Sequence, residues 1–263
     1  MNNTSRHHPH KSLGQNFLVD DRQQQKIVDA CALQADEVVV EIGPGKGAIT
    51  RRIYPLVKEL IAVEKDRSLA ALLAQEFQQP QVEIVQADFL KWDMSLLPQP
   101  VVVVGNIPYY ISTPIIEKIL AHKDKIRRVF LTVQLEFGQR LAASAGGKDY
   151  GSLSCFVQYY ADVQVLFKIS RHCFNPRPKV DSCFVSLTIK SKPDVPARDE
   201  RQLFNLIQKS FTQRRKTIVN ALKKTVGQER LMDELQRLGI DPRWRPEDLT
   251  LLNYIKLSNA LVV

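Results

Sequence analysis

No apolar run in this chain approaches the ~20 residues that a helix needs to cross a bilayer. The first residues, MNNTSRHHPHK, hold no apolar stretch of the kind that directs export, so the expectation is a cytoplasmic protein. Cysteine is sparse and scattered. Cys31, Cys155, Cys173 and Cys183 form no C-x-x-C pair and have no histidine cluster beside them, which argues against a disulfide framework and a zinc site. His7, His8 and His10 are close together but fall in a segment that reads as a frayed arm, and no metal is expected. Internal repeats and low-complexity tracts are also lacking.

What is present suits a soluble globular chain: 263 residues, 44% hydrophobic and 25% charged, enough to bury a sizeable core. The net charge of +9 is unevenly placed. From residue 190 onward there are 15 Lys/Arg against nine Asp/Glu, while residues 1–189 hold 22 against 19. A short basic region behind a nearly neutral body suggests a polyanionic partner.

The body alternates strand-like and helix-like segments. EVVVEI (37–42), ELIAVE (59–64), QVEIVQAD, PVVVVGN and RRVFLTVQ read as strands. Between them come a helical stretch to about Tyr54, DRSLAALLAQEF with Asp66 at the expected N-cap, and STPIIEKILAH with Ser112 as cap and Pro114 in the first turn. EFGQRLA reads as a helix after the fifth strand. Uniformly apolar strands alternating with helices predict a Rossmann-like α/β sheet, mostly parallel and covered on both faces. After the loop SAGGKDYGSLS (144–154), VQVLFKI and CFVSLTI follow without a crossover helix, which predicts antiparallel pairing at one edge. KSKPDVPARDE (190–200) reads as a linker, and the rest is helical. The expected division is an α/β body over 1–190 and a small basic helical domain over 191–263.

EIGPGKGAIT lies between a buried strand and a helix, where glycines let backbone amides approach a ligand at the carboxyl edge of the sheet. Glu64 ends the next strand, 21 positions after Gly43, and suits a ribose hydroxyl pair. The spacing is G-x-G-x-G rather than the dinucleotide G-x-G-x-x-G, and Pro44 stiffens the loop. NAD and S-adenosylmethionine both fit the loop, and a plain strand-to-helix turn would also account for it. Asp88, followed by Phe89, adds a carboxylate for an adenine amino group and a ring to pack on it. The combination favours an adenosyl cofactor with no pyrophosphate to cradle, hence a methyl donor.

The fourth strand then emits Asn106-Ile107-Pro108-Tyr109. An exocyclic amine of a nucleobase is a poor nucleophile because its lone pair is delocalised into the ring. Two acceptors aimed at its N–H groups, the Asn106 side-chain carbonyl and the Ile107 backbone carbonyl, would favour a pyramidal nitrogen and free that pair. Pro108 would fix the turn and Tyr109 would offer a stacking face, worth about 1–3 kcal/mol per base. Alignment rather than a strong general base would carry the chemistry.

GQNFL (14–18), EIGPGKGAIT (41–50), Glu64, Asp88, NIPYYIS (106–112) and NPRPKVDS (175–182) resemble the ribosomal RNA adenine N6,N6-dimethyltransferases, in particular their bacterial KsgA-type branch. The resemblance runs from about residue 11 to the C-terminus. It implies transfer of methyl groups from S-adenosylmethionine to two adjacent adenosines in a hairpin loop near the 3′ end of 16S rRNA in the small subunit. It also implies that Asn16 and Leu18 help close over the cofactor, and that Phe174 is the second face of an aromatic clamp opposite Tyr109. The candidate cofactor residues are Asn16, Leu18, Glu41, Gly43, Gly45, Glu64, Lys65, Asp88, Phe89 and Asn106. The family usually has Leu in place of Ile107, a mild departure at a residue that contributes its backbone.

In the basic tail, Lys209, Lys216 and Lys223 are seven apart, so an unbroken helix would carry them as one stripe opposite Phe204, Ile207, Phe211, Ile218 and Leu222. Arg214 and Arg215 leave that stripe, which requires a break near Thr212 or contact with another surface. With Arg177 and Lys179 beside the target pocket, these are the candidate phosphate contacts. Large-subunit RNA and DNA adenine methylation stay open, as does a ribosome-assembly factor whose role is binding alone. A monomer is the default expectation.

Overall fold

The computed structural model of the chain describes residues 15–97 and 100–261; His7, His8, His10 and the glycine of GQNFL lie outside them. In chain order come β1 (Phe17–Leu18), α1 (Asp21–Cys31), β2 (Val38–Ile42), α2 (Thr50–Ile53), β3 (Glu59–Glu64), α3 (Arg67–Glu76), β4 (Val82–Gln86), β5 (Val101–Asn106), α4 (Ser112–Ala121), β6 (Ile126–Gln134) and α5 (Leu135–Leu141). They are followed by α6 (Ser152–Tyr160), β7 (Ala161–Ile169), β8 (Phe174–Asn175), β9 (Ser182–Ile189), α7 (Glu200–Phe211), α8 (Ile218–Val226), α9 (Gln228–Arg237) and α10 (Leu251–Leu261).

Among the described residues, seven strands form one sheet in the order β4-β3-β2-β5-β6-β9-β7. β2 pairs in parallel with β3 and β5, β3 with β4, and β5 with β6, while β9 runs antiparallel to β6. The fold is the expected Rossmann-like α/β sheet, mostly parallel with antiparallel pairing toward one edge. β-branched runs form its centre: Val38, Val39 and Val40 in β2 and Val101 to Val104 in β5 are all buried, as suits strands covered on both faces. The chain proceeds outward from β2 to β4 and then returns to β5, so the direction of winding reverses between β2 and β5. Crevices at the carboxyl ends of strands at such a point are where open α/β sheets take ligands. Gly105 permits the close pairing there, because a Cβ on it would lie 3.1 Å from Ile42 Cβ and from the Ile42 carbonyl oxygen.

The helical stretch expected after the glycine loop is a single turn, α2, continued by a 3₁₀ turn at Tyr54–Leu56. Two local expectations are corrected. Ser112 is inside α4 rather than its cap; Ile111 takes the cap position without a side-chain bond. Asp66 does cap α3, accepting from the Ser68 and Leu69 N–H groups. A helix, α6, occupies SLSCFVQYY, where a loop had been expected to run into a strand; its aromatic and β-branched content hides helical periodicity. It buries Ser154, Cys155, Val157 and Tyr159.

By internal contacts the chain forms two compact units. One runs up to Gly138 and includes Gln164–Ile189; the other comprises Gln139–Val163 and the chain from Lys190 onward, so α6 belongs with the C-terminal helices. The core of the helical unit gathers Tyr150, Cys155 and Tyr159 with Leu203, Ile207, Ile218, Leu222, Leu231 and Tyr254. Two of its buried hydroxyls meet: Tyr254 donates to the Pro246 carbonyl at 2.8 Å and lies 2.9 Å from Ser210 Oγ.

Candidate active site

The carboxyl ends of β2 to β6 surround a cavity of about 320 Å³, within the ~300–1,000 Å³ typical of small-molecule sites. Its wall contains Asn16, Leu18, Glu41, Gly43, Gly45, Glu64, Lys65, Asp88, Phe89 and Asn106, which are the ten candidate cofactor residues, together with Ile107, Pro108 and Tyr109.

Local chemistry shapes the glycine loop. Gly43 and Gly45 have φ of +64° and +60°, a region that L side chains avoid. Glu64, buried at the end of β3, accepts from the Gly45 N–H at 3.0 Å through one oxygen and from the Asp66 N–H at 2.8 Å through the other. Burial raises its pKa and these backbone bonds oppose that rise. Above the loop, β1 pairs antiparallel with β8, matching Phe17 to Asn175 and Leu18 to Phe174. The Phe17 ring lies 3.0 Å from the position a Gly45 Cβ would take, so the arm closes directly on the loop.

Asp88 is held at the other side of the cavity. Lys65 Nζ lies 2.9 Å from one oxygen and the Leu90 N–H donates to the other at 3.0 Å. The Lys65 bond is the largest influence keeping the Asp88 carboxyl below its usual range. Sequence reading missed the brace behind this turn. Lys118 of α4 donates to the Phe89 carbonyl at 2.6 Å and to the Trp92 carbonyl, and its ammonium lies 5.3 Å from the centre of the Phe89 ring. No motif signals this lysine, which is 29 residues from Phe89 in the chain.

Glu41 is buried in β2 and accepts from the Thr50 hydroxyl at 2.7 Å. Burial pushes its carboxyl up to about 7, against the opposing Thr50 bond, with the Glu64 charge adding to the rise. An unfolded glutamate ionises near 4.5, so between these values the folded chain keeps a proton that the unfolded chain has lost. The contribution of this group to stability is therefore fully present below about 4.5 and is lost as pH rises through 7, by ~3 kcal/mol. Glu41→Gln, which still accepts from Thr50, is expected to flatten the pH dependence of Tm between pH 5 and 8 and to raise Tm at pH 8. An unchanged slope in calorimetric melts would remove the assignment.

Asn106 ends β5 half-buried, and its Nδ2 donates to the Asn16 backbone carbonyl at 2.9 Å. A carbonyl can face only the amide nitrogen, so this bond fixes the orientation of the carboxamide and leaves Oδ1 as an acceptor. Ile107 is buried, and Tyr109, in a 3₁₀ turn at Tyr109–Ile111, is half-exposed. The structure does not bring Phe174 to this cavity. That ring is 3% exposed, packed with Leu18, Ile169 and Phe184 in the core, because its strand pairs with the arm.

Arg177 and Lys179 are exposed between β8 and β9. In the helical unit the unbroken stripe does not exist: α7 ends at Phe211 and α8 begins at Ile218, where Thr217 caps it. Lys209 and Lys223 lie in the last turns of their helices, whereas Arg215 and Lys216 are exposed in the intervening turn. Arg214 is tied internally, 3.4 Å from Glu247 and donating to the Gly147 carbonyl at 3.3 Å. The apolar side packs inward as expected, with Ile207, Ile218 and Leu222 buried.

The chain matches a family model described as ribosomal RNA adenine dimethylase over residues 6–262. It is 40% identical to the ribosomal RNA small subunit methyltransferase A of Geobacillus thermodenitrificans (strain NG80-2), over 96% of this chain and 90% of that one. Identity to the protein of the same name from Moorella thermoacetica (strain ATCC 39073 / JCM 9320) is 41%, over 96% and 92%. Among solved structures it is similar to a dimethyladenosine transferase from Plasmodium falciparum, with a TM-score of 0.81 and 25% identity over 92% of this chain and 95% of that one. It is also similar to the 23S rRNA methyltransferase ErmE, with a TM-score of 0.76 and 26% identity over 94% and 99%.

Proposed function

This chain belongs to the ribosomal RNA adenine dimethylase family, and on that footing we propose that it methylates the N6 amines of two adjacent adenosines in a hairpin loop near the 3′ end of small-subunit rRNA. S-adenosylmethionine, held in the cavity, supplies an electrophilic methyl group. The donor set there suits an adenosyl amino acid. Glu64 keeps a lone pair on each oxygen for ribose hydroxyls, Asp88 stays ionised beside Lys65 to accept from an adenine amine, and Glu41 answers an ammonium group. The Phe89 backbone N–H, without a partner among the described residues, is a donor for a ring nitrogen.

The observation that carries the reading is the bond from Asn106 Nδ2 to the Asn16 carbonyl. With its nitrogen turned to the Asn16 carbonyl, Asn106 presents its Oδ1 acceptor to the target. Oδ1 takes one N–H of the adenine amine and the Ile107 carbonyl takes the other, which localises the lone pair on nitrogen. The Tyr109 ring stacks on the base and sets its plane. Phe174 would reach the base only by leaving the core, so in this reading Tyr109 bears the stack. The methylated nitrogen loses its proton to water, and no side chain is required as a strong base. Exposed Arg177, Lys179, Lys209, Arg215, Lys216 and Lys223 supply phosphate contacts, from which a salt-dependent affinity follows.

The test is methyl transfer from labelled S-adenosylmethionine to small subunits lacking the modification, followed by nucleoside analysis. Label in N6,N6-dimethyladenosine supports the reading; label only in large subunits or DNA overturns the target, and absence of transfer to any of them overturns the activity.

A further inference from the structure

The Tyr109 hydroxyl lies 2.6 Å from Ser182 Oγ, and either group can donate. This is the one polar tether on the Tyr109 side chain among the described residues, and it comes from 73 positions further along the chain. Tyr109 itself sits half-exposed in a single 3₁₀ turn.

Ser182 is different. It is fully buried, at the first position of β9, paired with Gln134 of β6. The preceding residue is pinned from three directions. The Asp181 carbonyl accepts from the Leu135 N–H at 3.1 Å, and its carboxylate accepts from the Arg171 N–H at 3.0 Å and from the Lys168 ammonium at 2.7 Å. Ser182 is therefore a fixed point to which a half-exposed ring is tied. Burial raises the pKa of the tyrosine, with the Ser182 bond opposing it, so the hydroxyl stays neutral at working pH.

We infer that Ser182 is a positioning residue for methyl transfer, holding the Tyr109 hydroxyl so that the ring presents the target adenine at the angle from which its amine meets Asn106 Oδ1. The inference rests on the reading of Tyr109 as the stacking face. Misplacement of a reacting group by about 1 Å can cost about a hundredfold in rate. Loss of one tether, at about 1 kcal/mol, corresponds to about fivefold.

A double-mutant cycle in the full-length protein tests it: Ser182→Ala, Tyr109→Phe and both together. The readouts are the single-turnover rate of methyl transfer to unmethylated small subunits and the cofactor Kd by calorimetry. Each single variant is expected to be about fivefold to tenfold slower, the pair no slower than the slower single, and the cofactor Kd within about twofold of wild type. An undiminished rate in either single, losses that multiply in the pair, or cofactor affinity that falls in step with the rate overturns the positioning role. Should Ser182→Ala fail to fold, the near-isosteric Tyr109→Phe still decides, since a wild-type rate in it removes the tether's importance. A wild type that methylates no adenosine fails the proposed function itself, whereas an active wild type with any of those overturning results fails only the role of Ser182.

Discussion

Asn106→Ala is expected to slow single-turnover methyl transfer by about 10²–10³-fold, comparable to the loss of one preorganised polar group at a reacting centre. The variant removes the acceptor for one amine N–H and leaves the Asn16 carbonyl without the Nδ2 donor that it meets at 2.9 Å. Asn106→Asp is the sharper probe. It keeps an acceptor oxygen toward the target, but its second oxygen would face the Asn16 carbonyl, acceptor against acceptor. Aspartate is therefore expected to be about as impaired as alanine, although it is similar in size to asparagine. Cofactor affinity, measured separately by calorimetry, should change by less than about tenfold in both. Transfer within tenfold of wild type in Asn106→Ala, or good activity in Asn106→Asp, would show that the carboxamide is not the orienting acceptor.

Glu64→Ala is expected to weaken S-adenosylmethionine binding by about a hundredfold. Two backbone donors, the N–H groups of Gly45 and Asp66, lose a buried charged acceptor. Hydrogen bonds to charged groups contribute about 1.5–3 kcal/mol each, and a hundredfold is about 2.7 kcal/mol. Part of the gain is offset in the wild type by the cost of burying the carboxylate, which raises its pKa. Glu64→Gln should do little better, because its amide nitrogen must face one of the two N–H donors. The raised pKa also fixes a sign: as pH falls, the folded carboxyl takes up a proton earlier than an ordinary glutamate, so affinity should weaken toward low pH and recover as pH rises. Titration calorimetry across pH checks both statements. A loss below about threefold in Glu64→Ala would remove this residue from the cofactor site.

Much of the site could be read from sequence because the relevant signals are short. A valine run ending in a glycine loop, an acidic residue closing the next strand, and an asparagine-proline pair closing a later one each lie within about ten residues. The order of these segments locates them on neighbouring parallel strands whose ends converge. The misreadings have equally specific reasons. Residues 152–160 carry phenylalanine, valine and two tyrosines, and their helical state is decided by the core into which Cys155 and Tyr159 pack. The break near Thr212 that Arg214 and Arg215 asked for is present by contrast: α7 ends there and Thr217 caps a new helix at Ile218, so Lys209, Lys216 and Lys223 share a period but not one helix. Phe174 has the composition of a stacking ring, yet its pairing with Leu18 turns it into the core.

The sequence by itself determined the parallel α/β class, the glycine loop and the identity of the acceptor at the end of β5, because hydrophobic period and backbone permissiveness act over a few neighbouring residues. Tertiary structure alone decided that the Asn16 carbonyl, 90 residues away, orients Asn106, that Lys118 braces the turn of Asp88, and that Ser182 holds Tyr109. Those contacts depend on strand order and register, which bring distant segments within 3 Å of one another and leave no periodic trace along the chain.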